Sequence, residues 1–257
     1  MQEIKSSKLV RSFAGEAQAV AKASKVGQAA LGGLLRRKEG WSLSFIGKAA
    51  AFLSLCLIGF ICLHVLYPFL AVNNRIPSNV LVVDGWMPTY DLERAAIEFK
   101  QGHYQLVLAV RGVYEFDSSE LDRPREDYVA GILIRYGIPK NSLKTVLFPG
   151  SKRDRTFASA LAIKEWFQQR RLSLSDLDLL TVGTHARRSR LLYQMALGDE
   201  VNVGIIGLDD PAYDASHWWR SSEGMCAVLS EVVAYLYVRF LFSPPNPATL
   251  HMLGSLS

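Results

Sequence analysis

The residues best suited to chemistry gather in one stretch, Thr181 to Arg190, where His185 is followed by Arg187, Arg188 and Arg190. An apolar run, Leu177–Val182, leads into a short Gly183-Thr184-His185 turn, and 186–197 has the pattern of a helix. Where a strand gives way to a helix, the first helical N–H groups have no partner in the helix and its dipole is positive. Such a turn attracts anions before side chains are counted. Arginine adds planar, charge-assisted donors suited to phosphate, and imidazole can act as acid or base near neutral pH. The spacing therefore predicts an anion site, with His185 as acid/base and Arg187 and Arg188 as holders of the anion. Arg187 and Arg190 are three apart and share a helix face. Arg190 is expected to face water or a neighbouring acid.

Other turns add to this set. Asp84 ends an apolar run and precedes Gly85-Trp86-Met87-Pro88. It is suited to bind a sugar hydroxyl, hold a metal, act as a base, or simply cap the next helix. Arg155 and Thr156 open a helix, with Asp154 beside them to orient the arginine. With Thr184 and Gly85 they complete the candidate binding set; no metal set is assigned. A phosphatase of the haloacid dehalogenase type would need a second Asp two residues after Asp84, and Trp86 stands there. Asp209-Asp210 is a weak cation signal. The cluster His217-Trp218-Trp219-Arg220 is suited to stacking on a sugar, to a membrane surface, or to plain packing.

The elements that must position these residues alternate. Strands are predicted at 80–83, 106–110, 145–148, 177–182 and 201–206. Helices are predicted from Asp91 to Gly102, from Asp127 to Tyr136, over 156–170 and 186–197, and from Ser222 to Phe242. Arg111–Val113 is read as a turn and Glu115–Glu126 as a polar loop. Strands and helices at this spacing predict a mostly parallel sheet covered on both faces, a three-layer α/β sandwich. In such sheets ligands bind outside the carboxyl ends of the strands. Neither G-x-G-x-x-G nor a P-loop is present, and no cofactor is identified.

The net charge of +5 is unevenly spread. Residues 1–48 hold nine Lys/Arg and three acids, whereas the other 209 residues hold 20 bases and 21 acids. The basic character belongs to the N-terminal arm, which argues against a nucleic-acid-binding face on the domain. Ala49–Val72 is 24 residues without a charge, long enough to cross a bilayer as an uncleaved signal anchor. Arg36-Arg37-Lys38 and Lys48 precede it and only Arg75 flanks it on the far side. The positive-inside rule then places residues 1–48 in the cytoplasm and the α/β domain, 79–242, outside the inner membrane in the periplasm. The arm over 1–43 is expected to be weakly helical or disordered, and 243–257 to be a flexible tail. The three cysteines have neither metal nor disulfide spacing.

The region 80–242 resembles the ElyC/SanA/YdcF family of bacterial envelope proteins. The resemblance rests on Val82-Val83-Asp84-Gly85, Arg94-Ala95, Tyr136-Gly137-Ile138-Pro139, Arg155-Thr156 with Ala160, Val182-Gly183-Thr184-His185 with Arg188, and Glu231 in the last helix. The sequence departs from the family pattern at Asp84, Trp86 and Ser159. The resemblance implies a Rossmann-like domain working in envelope polysaccharide, peptidoglycan or lipid-carrier metabolism. Two functions are therefore expected as alternatives. One is a site that binds or processes a phosphorylated glycan or polyprenyl-phosphate ligand, or a nucleotide-like one. The other is a non-catalytic scaffold or regulator working with other envelope proteins. The lipid bilayer is a partner in both.

Overall fold

The computed structural model describes residues 29–30, 35–37, 41–85, 87–113, 125–149 and 154–244. It divides into two compact units, Met1–Cys62 and Leu63–Ser257.

In the first unit three short strands, β1 (Ala29–Ala30), β2 (Leu35–Arg37) and β3 (Trp41–Leu43), form an antiparallel sheet. These residues correct the expectation of a helical or disordered arm; the rest of 1–40 lies outside the described residues. Helix α1 spans Phe45–Leu70, 26 residues with Lys48 as its single charge. It starts four residues before the predicted span and ends two before its predicted end. It is long and apolar enough to cross a membrane, and its apolar window is fully exposed.

The second unit is built on a five-stranded parallel sheet. Its strands are β4 (Val80–Asp84), β5 (Leu106–Val113), β6 (Leu143–Pro149), β7 (Asp176–Val182) and β8 (Asn202–Leu208), in the order β6-β5-β4-β7-β8. The apolar runs form these strands because both faces are covered. Leu81 and Val83 of β4 pack, with Leu180 and Ile206, under α2 (Thr89–Gln101) and α3 (Arg125–Arg135). Val82, Leu177, Leu179 and Ile205 pack under α4 (Arg155–Gln169) and α5 (Ala186–Leu197). This is the expected three-layer, Rossmann-like sandwich. A last helix, α6 (Ser222–Phe240), contributes Val238 to the second core.

Several boundaries differ from expectation. The predicted turn at Arg111–Val113 is strand: β5 continues because β6 pairs with it through Arg111↔Leu147, Gly112↔Phe148 and Val113↔Pro149. Helix α3 begins at Arg125 rather than Asp127, and most of the predicted acidic loop lies outside the described residues, as do Trp86, 150–153 and the tail from 245. Helix α6 stops at Phe240, before Pro244 and Pro245.

The chain enters this sheet from α1 by a fixed route. Val72 O comes close to Gly207 near the carboxyl end of β8, and Asn74 pairs with Ile205. The Ile76 N–H then donates to Asp178 Oδ1 at 3.1 Å. The last turns of α1 thus join the domain at the carboxyl edge of its sheet. A three-residue packing core of Leu70, Trp218 and Val228, flanked by Leu63, Leu66, Tyr67 and Tyr235, holds them there.

Candidate functional site

From β4 the chain builds outward to β5 and β6, then returns to the other side of β4 as β7 and β8. The strand order therefore reverses between β4 and β7, and ligands of open α/β sheets bind at such a switch point, outside the carboxyl strand ends. Asp84-Gly85 and Val182–His185 are the two turns that flank it.

Asp84 follows the parity of Val82 and so lies on the α4/α5 side of the sheet. It is only 4 % exposed, and its Oδ2 accepts a bond from Thr181 Oγ1 at 3.1 Å. Burial pushes the Tyr193 hydroxyl well above its usual range, and the Asp84 charge adds to this. Tyr193 OH lies 3.1 Å from Ser159 Oγ, which donates to Thr156 O at 2.8 Å. Tyr193 of α5 is thus hydrogen-bonded towards the first turn of α4 and lies within the electrostatic reach of Asp84 at the end of β4. Gly85 is confined: its N–H donates to Val110 O at 2.8 Å, and a Cβ would sit 2.5 Å from that carbonyl oxygen.

The other turn carries the densest cluster. Gly183 adopts φ +36°, a left-handed conformation that favours glycine, and Gly183–His185 forms one 3-10 turn before α5. His185 and Arg188 both reach Glu231 in the middle of α6. Arg188 Nε donates to Glu231 Oε2 at 2.8 Å and its Nη2 to Oε1 at 2.9 Å, while His185 Nδ1 lies 2.9 Å from Oε1. Arg188 Nη2 is also 2.9 Å from His185 Nδ1. That nitrogen cannot both accept from Arg188 and donate to Glu231. Donation to the carboxylate gives the Nδ1–H a charged acceptor and, in a neutral ring, leaves the lone pair on Nε2. Burial alone would raise the Glu231 carboxyl. Hydrogen bonds from Arg188 and His185 outweigh it and hold the group at about 2, so Glu231 stays ionised.

The remaining predicted residues are placed as follows. Thr184 is buried and hydrogen-bonds the Tyr213 hydroxyl. Arg187 stacks over the Phe69 ring at 4.0 Å and donates from Nε to the Phe69 carbonyl. Arg190 is half-buried and donates from Nε to Val203 O at 2.8 Å, a backbone carbonyl rather than an acid. Arg155 is exposed at the first position of α4, and Thr156 follows it half-buried. Asp209 accepts from Tyr67 OH at 3.4 Å and Asp210 caps Ala212 N–H, so this acid pair is tied into its turn. Trp218 is buried, donating from its indole to Leu63 O at 2.8 Å. His185, Arg188 and Arg187 thus meet at one turn. Asp84, Thr156 and Ser159 form a second group at the neighbouring strand end.

Glu231 is the residue that turn-by-turn reading underrates. Its signal is a carboxylate in the middle of an apolar helix, where only Glu223, Glu231 and Arg239 are charged. A cleft of about 750 Å³ opens at the other end of the sheet, lined in part by Arg75, Ser78, Gln101, Tyr104 and Ser175. The catalytically suited groups are at the carboxyl edge, and the candidate site is placed there.

No protein-family model matches the chain, and no curated protein matches it. Among solved structures, the Etr1p/NADP/crotonyl-CoA complex is similar at 14% identity and a TM-score of 0.27, over 74% of this chain. The chain spans only 55% of that protein's length, and so distant a likeness carries no functional argument.

Proposed function

We propose that this protein is a single-pass inner-membrane protein whose periplasmic α/β domain binds or processes a phosphorylated ligand in envelope biogenesis. The ligand class is a polyprenyl phosphate or a nucleotide-like phosphate, as the resemblance to the ElyC/SanA/YdcF family implies. The observation that carries the reading is the His185–Glu231–Arg188 cluster beside the β4/β7 switch point. Glu231 orients the imidazole as an acid/base group, as carboxylates do for histidines in many active sites. The end of α1 joins the domain at this same edge, which favours a substrate delivered from the bilayer.

The geometry also redistributes the roles. Arg188 and Glu231 cancel in charge, so Arg188 acts by positioning Glu231 and His185. Arg155, at the amino end of α4, is an exposed cation suited to hold phosphate, with Thr156 beside it. One observation favours the second reading, a scaffold or regulator: Arg187 and Arg188 both bond groups inside the protein.

The test is binding of a polyprenyl phosphate to the full chain in detergent micelles, with complementation of a deletion strain. Arg155→Ala is expected to weaken binding at least tenfold, and His185→Ala to abolish complementation while binding persists. If both variants fold, lose binding and still complement, the site serves no essential reaction and the scaffold reading replaces it.

A further inference from the structure

The aromatic turn that the proposed site does not use has a level in the molecule. The six-residue 3-10 segment Ala215–Arg220 precedes α6, and its Trp218 indole donates to the Leu63 carbonyl of α1 at 2.8 Å. Trp219 packs against His64 at a tilt, with ring centroids 5.3 Å apart. Leu63 and His64 are a defined position along α1. Counted from Ala49, just past Lys48, the ~30 Å of a hydrocarbon core takes about 20 residues of helix and ends near Pro68. A spanning α1 therefore leaves the hydrocarbon between His64, which lies beside the two tryptophans, and Leu70, which packs with Val228. Tryptophan is the residue favoured at that depth, since its ring is apolar and its N–H needs a partner.

Beyond the exposed Ser222 and Glu223, the surface that continues from this turn is mostly apolar. On the first turns of α6, Met225 is 38% and Leu229 43% exposed, and Cys226 is exposed beside them. Arg220 and His217 are exposed on the turn itself, at headgroup height. A soluble surface would leave Met225 and Leu229 in water at a cost of about 25 cal/mol per Å². The bilayer interface covers them without that cost.

We infer that Ala215–Arg220 and the first two turns of α6 form a membrane-seated surface. Trp219, Met225 and Leu229 dip into the interfacial layer beside the exit of α1, and Arg220 lies among lipid phosphates. The occupant is the bilayer rather than a second copy of the chain, because the turn is bonded to the helix that emerges from the bilayer. This seating rests on the single-pass reading of α1 and not on the ligand proposed for the site. Loss of phosphate binding leaves it standing, and a cytoplasmic C-terminal reporter does not alter it.

The test uses the full chain in vesicles of phosphatidylcholine and phosphatidylglycerol. With Cys56→Ser and Cys62→Ser, Cys226 is the single remaining thiol and is labelled with an environment-sensitive fluorophore. The control carries Asp199→Cys, at an exposed position after α5, in a chain with Cys56→Ser, Cys62→Ser and Cys226→Ser. Lipids spin-labelled near the headgroup are expected to quench the label at 226 several-fold more than the label at 199. As a label-free readout, brominated lipids are expected to quench tryptophan emission less in Trp219→Phe than in the unsubstituted chain. Equal quenching at 226 and 199 overturns the inference. So does an apolar emission shift at 226 that disappears as the protein-to-lipid ratio is lowered, which marks a contact between copies instead.

Discussion

Arg188 places Nε on Glu231 Oε2 and Nη2 on Oε1, a two-bonded fork between residues 43 apart in the chain. The fork ties the first turn of α5 to the middle of α6, and His185 completes it. The Arg188 side chain is 19% exposed and Glu231 15%, so neither charge is well solvated. Removing one partner of such a pair leaves the other without compensation. Glu231→Ala is expected to cost about 3 kcal/mol in urea unfolding of the full chain in micelles. Replacing both, Arg188→Met with Glu231→Leu, should cost less than the two single changes added together. Additive costs in that cycle would show that the two side chains do not act as a unit.

The same carboxylate predicts a pH dependence. Its folded-state value is depressed from the usual 4.5 to about 2, so its contribution to stability is present above about 4.5. It is lost as the pH falls from there towards 2. The shift corresponds to about 3 kcal/mol over that window. Glu231→Gln should flatten the unfolding free energy between pH 4.5 and 2, measured by urea titrations at several pH values. A variant whose acid limb matches that of the unsubstituted chain would contradict the assignment.

The sheet and its helices were legible because each strand is an apolar run and each helix has one apolar face, as in Leu92, Ala95 and Ala96 of α2. The turn at Gly183–His185 was legible for the same reason: the pattern changes period there. What could not be read locally depends on distant partners. Arg111–Val113 is strand only because β6 pairs with it, and no periodicity announces that. Arg188 reads as an anion holder until α6 brings Glu231 to it. Arg187 reads the same way until the end of α1 presents Phe69. The short β1–β3 sheet has too few residues to leave a pattern at all.

Asp178 makes a contrasting prediction. It is fully buried in β7, accepting from Tyr104 OH at 2.7 Å and from the Ile76 N–H at 3.1 Å. Burial raises its carboxyl above the usual range, and these bonds offset only part of that. A raised folded-state value favours the folded chain at low pH, and the advantage is lost as pH rises through that value. Asp178→Asn keeps an acceptor for Ile76 and removes the buried charge. It should be within about 1 kcal/mol of the unsubstituted chain at pH 7, or more stable, with less dependence on pH. Asp178→Ala leaves both donors unmet and should cost about 2 kcal/mol or more. Chemical denaturation at pH 5 and pH 8 distinguishes the two outcomes.

Gly85 tests how tightly the switch point is built. A methyl group there meets the Val110 carbonyl oxygen, a strand atom that cannot turn aside. Gly85→Ala must push β4 and β5 apart at their carboxyl ends or break the Gly85 N–H bond to Val110. The expected cost is about 1–3 kcal/mol in thermal or urea unfolding. Asp84 is the preceding residue, so the bond from Thr181 should weaken too. A variant as stable as the unsubstituted chain would show that this turn yields freely.

The proposed orientation of the domain rests on charge. Residues 1–48 carry nine bases against three acids, and Arg75 is the single base close after the apolar stretch. In the proposed topology, cytoplasmic retention of the basic flank puts everything after α1 on the outer side. A reporter active only outside the cytoplasm, fused after Ser257, should be active, and one active only in the cytoplasm should be silent. Replacing Arg36, Arg37 and Lys38 with Gln removes much of the flanking asymmetry and should raise the fraction of inverted chains. Cytoplasmic reporter activity from the unsubstituted chain would reverse the topology and move the His185–Glu231–Arg188 cluster to the cytoplasmic side.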